Sequence, residues 1–178
     1  MKITVLCDNT VGLPLSLAGE WGLALLVEVG DKKILFDAGG QGHVVANAAT
    51  LGVDLGEVEA VVMSHGHYDH TGGLRSFLQL RGQVPVYAHP DFFSPHYTTV
   101  PWRRYIGVPY NREELESLGA EFVFTWEPRE IFPLVWVSGE VPRKSGFELG
   151  DGSLFCLREG VKLPDPLRDD LSLYCVTE

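Results

Sequence analysis

The chain has 178 residues, a length that suits one domain. Hydrophobic residues make up 45% and charged residues 21%, a balance typical of a globular protein rather than a disordered chain. Acidic residues outnumber basic ones by 24 to 14, and the resulting net charge of −10 disfavours nucleic-acid binding, which depends on clustered cations. The apolar stretch Leu23–Val29 ends at Gly30-Asp31, far short of the roughly 20 residues of a membrane span. We therefore expect neither a nucleic-acid partner nor a membrane-embedded protein.

The N-terminus and the cysteines indicate the compartment. Residues Met1–Thr10 lack the pattern of a signal peptide. Cys7, Cys156 and Cys175 are far apart in sequence and form no CxxC motif, which favours reduced thiols over disulfides. Together these features predict a cytoplasmic protein.

Short strands and a few helices alternate along the chain. Apolar, β-rich runs predict strands at Ile3–Leu6, Trp21–Val29, Lys32–Phe36, Glu59–Met63, Val84–Ala88, Glu121–Thr125, Leu134–Ser138, Ser153–Leu157 and Leu171–Val176. Helical spacing predicts helices at Val44–Leu51, at Leu74–Leu78 and from Asn111 to Gly119. From Pro90 to Tyr110, prolines and aromatic residues follow no period, which predicts a long irregular loop. Its aromatic side chains Trp102, Tyr105 and Tyr110 either close a pocket as a lid or pack as ordinary core. The whole pattern predicts an α+β layered domain.

The sharpest chemical signal is Ser64–Gly73, SHGHYDHTGG, which we call the metal loop. It follows a buried strand and contains His65, His67, Asp69 and His70. Residues two apart in extended backbone point to the same side, so His65 and His67 can share one ion while Asp69 and His70 face a second. Nitrogen and carboxylate ligands suit zinc, and also iron or manganese. The alternative, imidazoles that cap a helix or hydrogen-bond within a loop, explains one histidine better than this cluster.

The pattern HxHxDH after a strand resembles the metallo-β-lactamase superfamily, and Leu35–Gly39 resembles an upstream segment of the same superfamily. A wider set of segments resembles its dihydropterin-(ribofuranosyl)aminobenzene-phosphate synthase-like branch. These segments are Asp8-Asn9, the metal loop, Tyr87–Pro90, Ser138–Arg143, Phe147-Glu148 and Asp169-Asp170. The resemblance implies an αββα sandwich, with residues 1–178 forming a single metallo-β-lactamase-like domain.

The resemblance also implies roles for individual residues. His65 and His67 would hold a first metal ion, and Asp69 and His70 a second. Asp69 would also be catalytic, accepting a proton from a metal-activated water. Asp37 would orient a ligand from the outer shell, as such carboxylates do. Its alternative role is to cap the helix after Gly40.

One part of the family pattern does not occur in this sequence. The superfamily completes its metal shell with a later histidine, within Gly-Cys-Ser-His in this branch, and with a further histidine near the end of the domain. His43, His89 and His96 match neither position. We therefore expect a C-terminally truncated version of the domain with weakened metal affinity. Its open sheet edges would be covered in a homo-oligomer or by a separately encoded C-terminal half.

Three further residues are candidates for substrate binding. Arg143 and Lys144 can hold an anionic group such as phosphate, or form a solvated basic turn. His89 corresponds to a pocket residue of the branch, and its alternative is a hydrogen-bonded loop histidine.

Two functions from different classes remain open. The first is a metal-dependent, hydrolase-like or transferase-like enzyme that acts on a small anionic or phosphorylated metabolite. The second is a non-catalytic subunit with an incomplete metal site that needs a partner chain. A nucleic-acid-processing member of the superfamily is disfavoured by the net charge of −10.

Overall fold

The structure, a computed structural model of the chain, describes residues 1–12, 16–145 and 150–176. No helix within these residues combines the length and the apolar character that crossing a membrane requires. The three cysteines are free thiols.

A six-stranded sheet forms the centre of the molecule. Its strands are β1 (Lys2–Cys7), β2 (Ala24–Val29), β3 (Lys32–Phe36), β4 (Ala60–Val62), β5 (Val84–Ala88) and β8 (Ala120–Phe124), in the order β1-β2-β3-β4-β5-β8. The first three strands are antiparallel, and the predicted hairpin at Gly30-Asp31 joins β2 to β3. From β3 onward neighbouring strands are parallel, so their carboxyl ends meet at one edge of the sheet.

Alternation along the central strands divides the side chains between two cores. Leu26, Leu35 and Val61 face one side of the sheet, where they pack with buried residues of the helices. Ile34, next to Leu35, and Val62, next to Val61, face the other side. This period of two is the pattern of a sheet that is covered on both faces.

Helices form the layer on the first side. They are α1 (His43–Thr50), α2 (Tyr68–Thr71), α3 (Leu74–Arg81) and α4 (Arg112–Ser117), with a 3₁₀ turn at Leu55–Glu57. The Asn111 side chain accepts a hydrogen bond from Glu114 N, which is the predicted cap at the start of α4. In contrast, α1 begins after Gly42 without a side-chain cap, and Asp37 therefore has a different task.

A second sheet covers the other side of the central sheet. It contains β9 (Arg129–Phe132), β10 (Val135–Val137) and β13 (Leu173–Cys175) in the order β13-β10-β9. Its core residues Val135 and Val137 are fully buried against the central sheet. One helical layer and two stacked sheets, which are three of the four layers of the metallo-β-lactamase-like αββα sandwich, are thus present in the described residues.

A third, four-stranded sheet was predicted from the sequence only at its strand β11, which was expected at Ser153–Leu157. It contains β6 (Tyr97–Thr98), β7 (Arg104–Tyr105), β11 (Leu154–Arg158) and β12 (Val161–Pro164). The segment from Pro90 to Tyr110 was predicted as one irregular loop, and this is wrong at β6 and β7, which pair with each other. A strand of two residues is too short to show an alternating pattern in the sequence. Such strands are therefore recognised only from their pairing, here of β6 with β11.

Candidate metal centre

The fold brings the ends of three parallel strands together. Asp37 follows β3, the metal loop begins two residues after β4, and His89 follows β5. In open parallel sheets the carboxyl ends of the strands line the usual binding crevice. The candidate site therefore lies at the edge of the central sheet where sequence-distant segments converge.

Asp37 is the anchor of the metal loop. It is 0% exposed, and its carboxylate accepts hydrogen bonds from Ser64 N, Ser64 Oγ and His70 Nδ1, each at 2.7 Å. Its backbone has a φ of 56°, a left-handed conformation that Asp tolerates better than most residues. These contacts are those of an outer-shell residue, although the role of Asp37 beside a metal stays a prediction.

This anchor also fixes the orientation of two imidazoles. The Ser64 hydroxyl donates its one hydrogen bond to Asp37. The second hydrogen bond of this hydroxyl, to His65 Nδ1 at 2.8 Å, therefore has His65 Nδ1–H as its donor. His70 Nδ1 likewise donates to Asp37. In its neutral form each ring therefore has the lone pair on Nε2, where a ligand or an ion could use it.

The imidazoles of the metal loop form a contiguous row. The ring centroid of His65 lies 4.6 Å from that of His67 and 4.3 Å from that of His70. Asp69 adds a carboxylate next to this row, with its Oδ2 at 3.8 Å from His70 Nε2. The four predicted ligands are thus brought together, and their role as ligands stays a prediction.

Burial keeps the middle of the row neutral. Desolvation, reinforced by the charges of His70 and His67, lowers the pKa of His65 to about 3. Burial and the neighbouring His96 also lower the pKa of His67. At His70 burial acts in the same direction, but the hydrogen bond and charge of Asp37 outweigh it and raise the pKa. Neutral His65 and His67 present free lone pairs, which is the state that a metal ligand needs.

These donors fit a divalent cation. His67 Nε2 is buried and has no hydrogen-bond partner among the described residues, although buried ring nitrogens normally have one. Neutral imidazoles and a nearby carboxylate are the ligand types of zinc, and iron and manganese accept them as well. His65, His67, Asp69 and His70 would therefore hold such an ion.

Contacts from two other segments hold the metal loop in place. Gly66 N donates to Asp169 Oδ2 at 2.7 Å, Tyr68 N donates to Ile106 O at 2.8 Å, and Ser64 O accepts from Leu171 N at 2.7 Å. A Cβ at position 66 would lie 2.1 Å from Phe92 O, so glycine is required there. The conformation of the loop thus depends on residues more than a hundred positions away in sequence.

Sequence reasoning missed a histidine and two carboxylates beside the loop. The His96 ring lies 4.9 Å from the His67 ring, between centroids. His96 Nδ1 is 2.6 Å from Asp165 Oδ2, and His96 Nε2 is 3.3 Å from Asp169 Oδ2. Burial disfavours the charged imidazolium, but the two carboxylates outweigh burial and raise the pKa of His96 to about 10. No local sequence pattern connects these three residues, and only the fold brings them together.

The predicted substrate-binding residues lie around the same edge. His89 is buried, with its Nδ1 accepting a hydrogen bond from Asp91 N and its Nε2 at 3.7 Å from Glu140 Oε2. Arg143 is exposed and paired with Asp170, while Lys144 is exposed. Phe147 and Glu148, which took part in the family resemblance, lie outside the described residues. The substrate roles of His89, Arg143 and Lys144 stay predictions.

The three aromatic residues that were predicted to form a lid or to pack in the core, Trp102, Tyr105 and Tyr110, have different environments. Tyr110 Oη donates to Gly72 O at the end of the metal loop, and Tyr105 Oη donates to Val108 O. Trp102 is 67% exposed. Tyr110 therefore packs against the metal loop as a fixed support, whereas Trp102 has the exposure that a lid residue needs.

Comparisons with known proteins agree with this fold. The profile of the Metallo-beta-lactamase superfamily matches residues 22–157, and the chain belongs to this superfamily. It is 29% identical over its whole length to 7,8-dihydropterin-6-methyl-4-(beta-D-ribofuranosyl)-aminobenzene-5'-phosphate synthase of Methanocaldococcus jannaschii. It is 32% identical, over 96% of its length, to an uncharacterised protein of the same archaeon.

The structural comparison gives the same assignment. A solved structure of a metal-dependent hydrolase of the beta-lactamase superfamily matches 96% of the chain with a TM-score of 0.76 and 28% identity. The chain spans 64% of the length of each of the two archaeal relatives and 59% of the solved structure. The superfamily and fold predictions are confirmed.

Proposed function

We propose that the chain provides the metal-binding part of a hydrolase-like or transferase-like enzyme that acts on a small anionic or phosphorylated metabolite. The observation that carries this proposal is the row of buried imidazoles with free ring nitrogens, next to Asp69, at the end of β4. Zinc is the cation we propose, with iron or manganese as alternatives. The free thiols agree with the expected cytoplasmic location, which stays a proposal.

The residues of the loop divide the chemical work between them. A bound divalent cation lowers the pKa of a coordinated water to about 7 and polarises the bond under attack. Asp69, whose side chain is 18% exposed, is accessible enough to accept the proton of the attacking water. Asp37 and Ser64 keep the rings of His70 and His65 in place. This arrangement suits attack on a phosphate ester or a related electrophile.

The substrate class rests on Arg143 and Lys144 and on a relative. The relative from Methanocaldococcus jannaschii is named as a synthase of a 5'-phosphate. Arg143 points at Asp170 in the structure, so an anionic group would have to displace this carboxylate from the guanidinium. Lys144 is exposed and can move toward a ligand. We therefore propose a phosphate-bearing substrate that exchanges with Asp170 at Arg143.

Metal analysis of the purified protein tests the first part of the proposal. After removal of metals with EDTA and reloading with zinc, we expect near-stoichiometric zinc by elemental mass spectrometry. The variants His65→Ala and His67→Ala should lose it, while the control His43→Ala, at the start of α1, should retain it. Equal zinc contents in all four proteins would contradict the proposed site.

Hydrolysis of bis(p-nitrophenyl) phosphate tests the second part. Zinc-loaded protein should release p-nitrophenol, and Asp69→Asn should abolish the release. Arg143→Ala should raise KM more than it lowers kcat, because the guanidinium binds the anion and does not take part in bond breaking. Lys162→Ala removes a cation on the separate four-stranded sheet and serves as the control.

An apolar groove favours the second function, a subunit that needs a partner. A cavity of about 220 Å³ lies between β1 and β13, which are edge strands of the two stacked sheets. The groove is lined by Met1, Ile3, Leu25, Val27, Phe36, Leu173 and Cys175. Edge strands beside exposed apolar side chains invite pairing with another chain. We propose that a second copy, or a separately encoded chain that supplies the remaining family elements, covers this groove.

Light scattering on the purified protein separates these two partners. A dimer that dissociates in Ile3→Lys supports a homo-oligomer, since Ile3 is 53% exposed and lines the groove. A monomer with zinc but without hydrolytic activity supports a separate partner chain. A fully active monomer would contradict the need for any partner.

A further inference from the structure

His96 has a position that a simple loop histidine does not explain. It is 3% exposed, and both of its ring nitrogens face carboxylates of a distant segment, Asp165 and Asp169. At the same time its ring lies edge-on against His67, with an interplanar angle of 83°. His96 therefore connects the metal loop to a pair of acidic side chains.

The backbone holds this contact in place. Ile106 N donates to His96 O at 2.9 Å, and Ile106 O accepts from Tyr68 N inside the metal loop at 2.8 Å. Asp169 in turn accepts from Gly66 N at 2.7 Å. The segments of His96 and Asp169 are thus both hydrogen-bonded to the loop, and the cluster is a built feature of the fold.

The geometry of the cluster is close to that of a metal site. One potential ligand atom from each of His67, His96 and Asp165 lies within 4.8 Å of the others. Tetrahedral zinc, with bonds of about 2.0–2.1 Å, separates its ligand atoms by about 3.4 Å. Side-chain rotations that move these atoms together by about 1–1.5 Å would therefore close the shell around one ion.

Unpartnered buried atoms point into the same region. Within the described parts of the chain, His67 Nε2 and Asp169 Oδ1 are buried and find no hydrogen-bond partner, and His96 Nε2 has only its 3.3 Å ion-pair contact with Asp169 Oδ2, which lacks hydrogen-bond geometry. Asp169 is 1% exposed, so water outside the protein does not solvate its Oδ1. Buried polar atoms without partners are uncommon and ask for an explanation, such as an ion. A cavity of about 100 Å³ lined by His96, Asp165 and Asp169 gives a path to the cluster.

We propose that His96 and Asp165 act as metal ligands together with His67, so that this chain completes a zinc shell with its own residues. Asp169 positions the cluster through its contacts with Gly66 N and His96 Nε2. On binding, the His96 ring nitrogen that meets the cation releases its proton to solvent while the other ring nitrogen keeps its N–H, and His96 and Asp165 turn toward the cation. The inference rests on the proposed function, because His67 belongs to the metal loop.

Cobalt(II) titration of the metal-free full chain tests this inference. The visible absorption of cobalt reports coordination, and zinc competition gives the affinity. We expect His96→Ala and Asp165→Asn each to weaken cobalt binding at least about 100-fold, since loss of an outer-shell partner alone costs about 10- to 100-fold. The control His43→Ala should bind like the wild type.

The outcomes distinguish a failure of the proposed function from a failure of the inference about His96. If the wild type binds no cobalt, the proposed function fails and the inference fails with it. If His67→Ala loses cobalt while His96→Ala keeps the wild-type affinity and spectrum, the metal loop stands and the inference is wrong. His96 would then be an imidazolium in a structural ion pair with the two carboxylates.

A measurement on the unmutated protein guards against variants that fail to fold. In ¹⁵N NMR spectra of the histidine rings, zinc should shift a ring nitrogen of His96 as well as one of His67. Unchanged His96 resonances in zinc-saturated protein would overturn the inference, whatever the variants do.

Discussion

Asp37→Asn is the substitution that the structure makes most informative. It keeps the size of a fully buried side chain, and Asn adopts the left-handed conformation of position 37 without added backbone strain. What it removes is a carboxylate that accepts three hydrogen bonds at 2.7 Å, from the Ser64 backbone, the Ser64 hydroxyl and the His70 ring. The new amide NH₂ would face at least one of these donors. The effect is therefore electrostatic rather than steric.

The magnitude follows from the number of lost partners. A hydrogen bond to a charged group stabilises a fold by about 1.5–3 kcal/mol, and a buried donor left unpaired costs about 1–3 kcal/mol. With two of the three partners lost or weakened, we expect Asp37→Asn to lower the free energy of unfolding by about 3–5 kcal/mol. Because His70 would lose its fixed orientation, zinc affinity should also fall about 10- to 100-fold.

Urea unfolding of the metal-free protein, followed by tryptophan fluorescence at pH 7, measures the first effect. The matched control is Asp54→Asn, an exposed aspartate that accepts one hydrogen bond, from Gly56 N at the start of the 3₁₀ turn. Because Asn and Asp cap helices about equally well, the control should cost well below about 1 kcal/mol. If both variants lose the same small amount, the hydrogen bonds of Asp37 do not anchor the metal loop and the reasoning is refuted.

Three other predictions use the same unfolding assay. Phe77→Ala empties a fully buried position between α3 and the central sheet and should cost about 3–5 kcal/mol, whereas a loss below about 1 kcal/mol would contradict this packing. Gly66→Ala places a Cβ 2.1 Å from Phe92 O, and it should destabilise the protein and weaken zinc binding. The control Gly150→Ala should do neither, because among the described residues no atom beyond its chain neighbours lies within 4 Å of the added Cβ. In metal-free protein the carboxylates raise the pKa of His96 to about 10 despite burial, whereas the pKa in the unfolded chain is about 6.5. The ion pairs therefore stabilise the fold fully below about pH 6.5. This stabilisation is lost as the pH rises toward 10. The unfolding free energy should thus fall between pH 6.5 and 9.5, and His96→Gln should flatten this fall.

The strands and helices of the central layers could be predicted because their burial is regular. The strand β5 was predicted at Val84–Ala88 and has these bounds, and the hairpin at Gly30-Asp31 is present. In contrast, β9 and β12 were missed because two of the four residues of β9 and all four residues of β12 are exposed. An exposed strand has no apolar face, so its sequence lacks the alternation by which strands are recognised.

The candidate site shows the same division between local and long-range information. The metal loop could be found because its ligand types are adjacent in sequence and follow a buried strand. His96 could not be assigned, since the residues that give it meaning, Asp165 and Asp169, lie about seventy positions further along the chain. Their contact depends on two backbone hydrogen bonds, from Tyr68 N to Ile106 O and from Leu171 N to Ser64 O. No sequence motif encodes these hydrogen bonds.

Anomalous diffraction from crystals of the intact chain grown with zinc is the most direct test of a metal centre at the metal loop. We expect a strong peak at the zinc absorption edge within bonding distance of His67 and of at least one other imidazole of the loop. A map without a peak there, or with zinc bound only at surface carboxylates remote from the loop, would contradict this expectation.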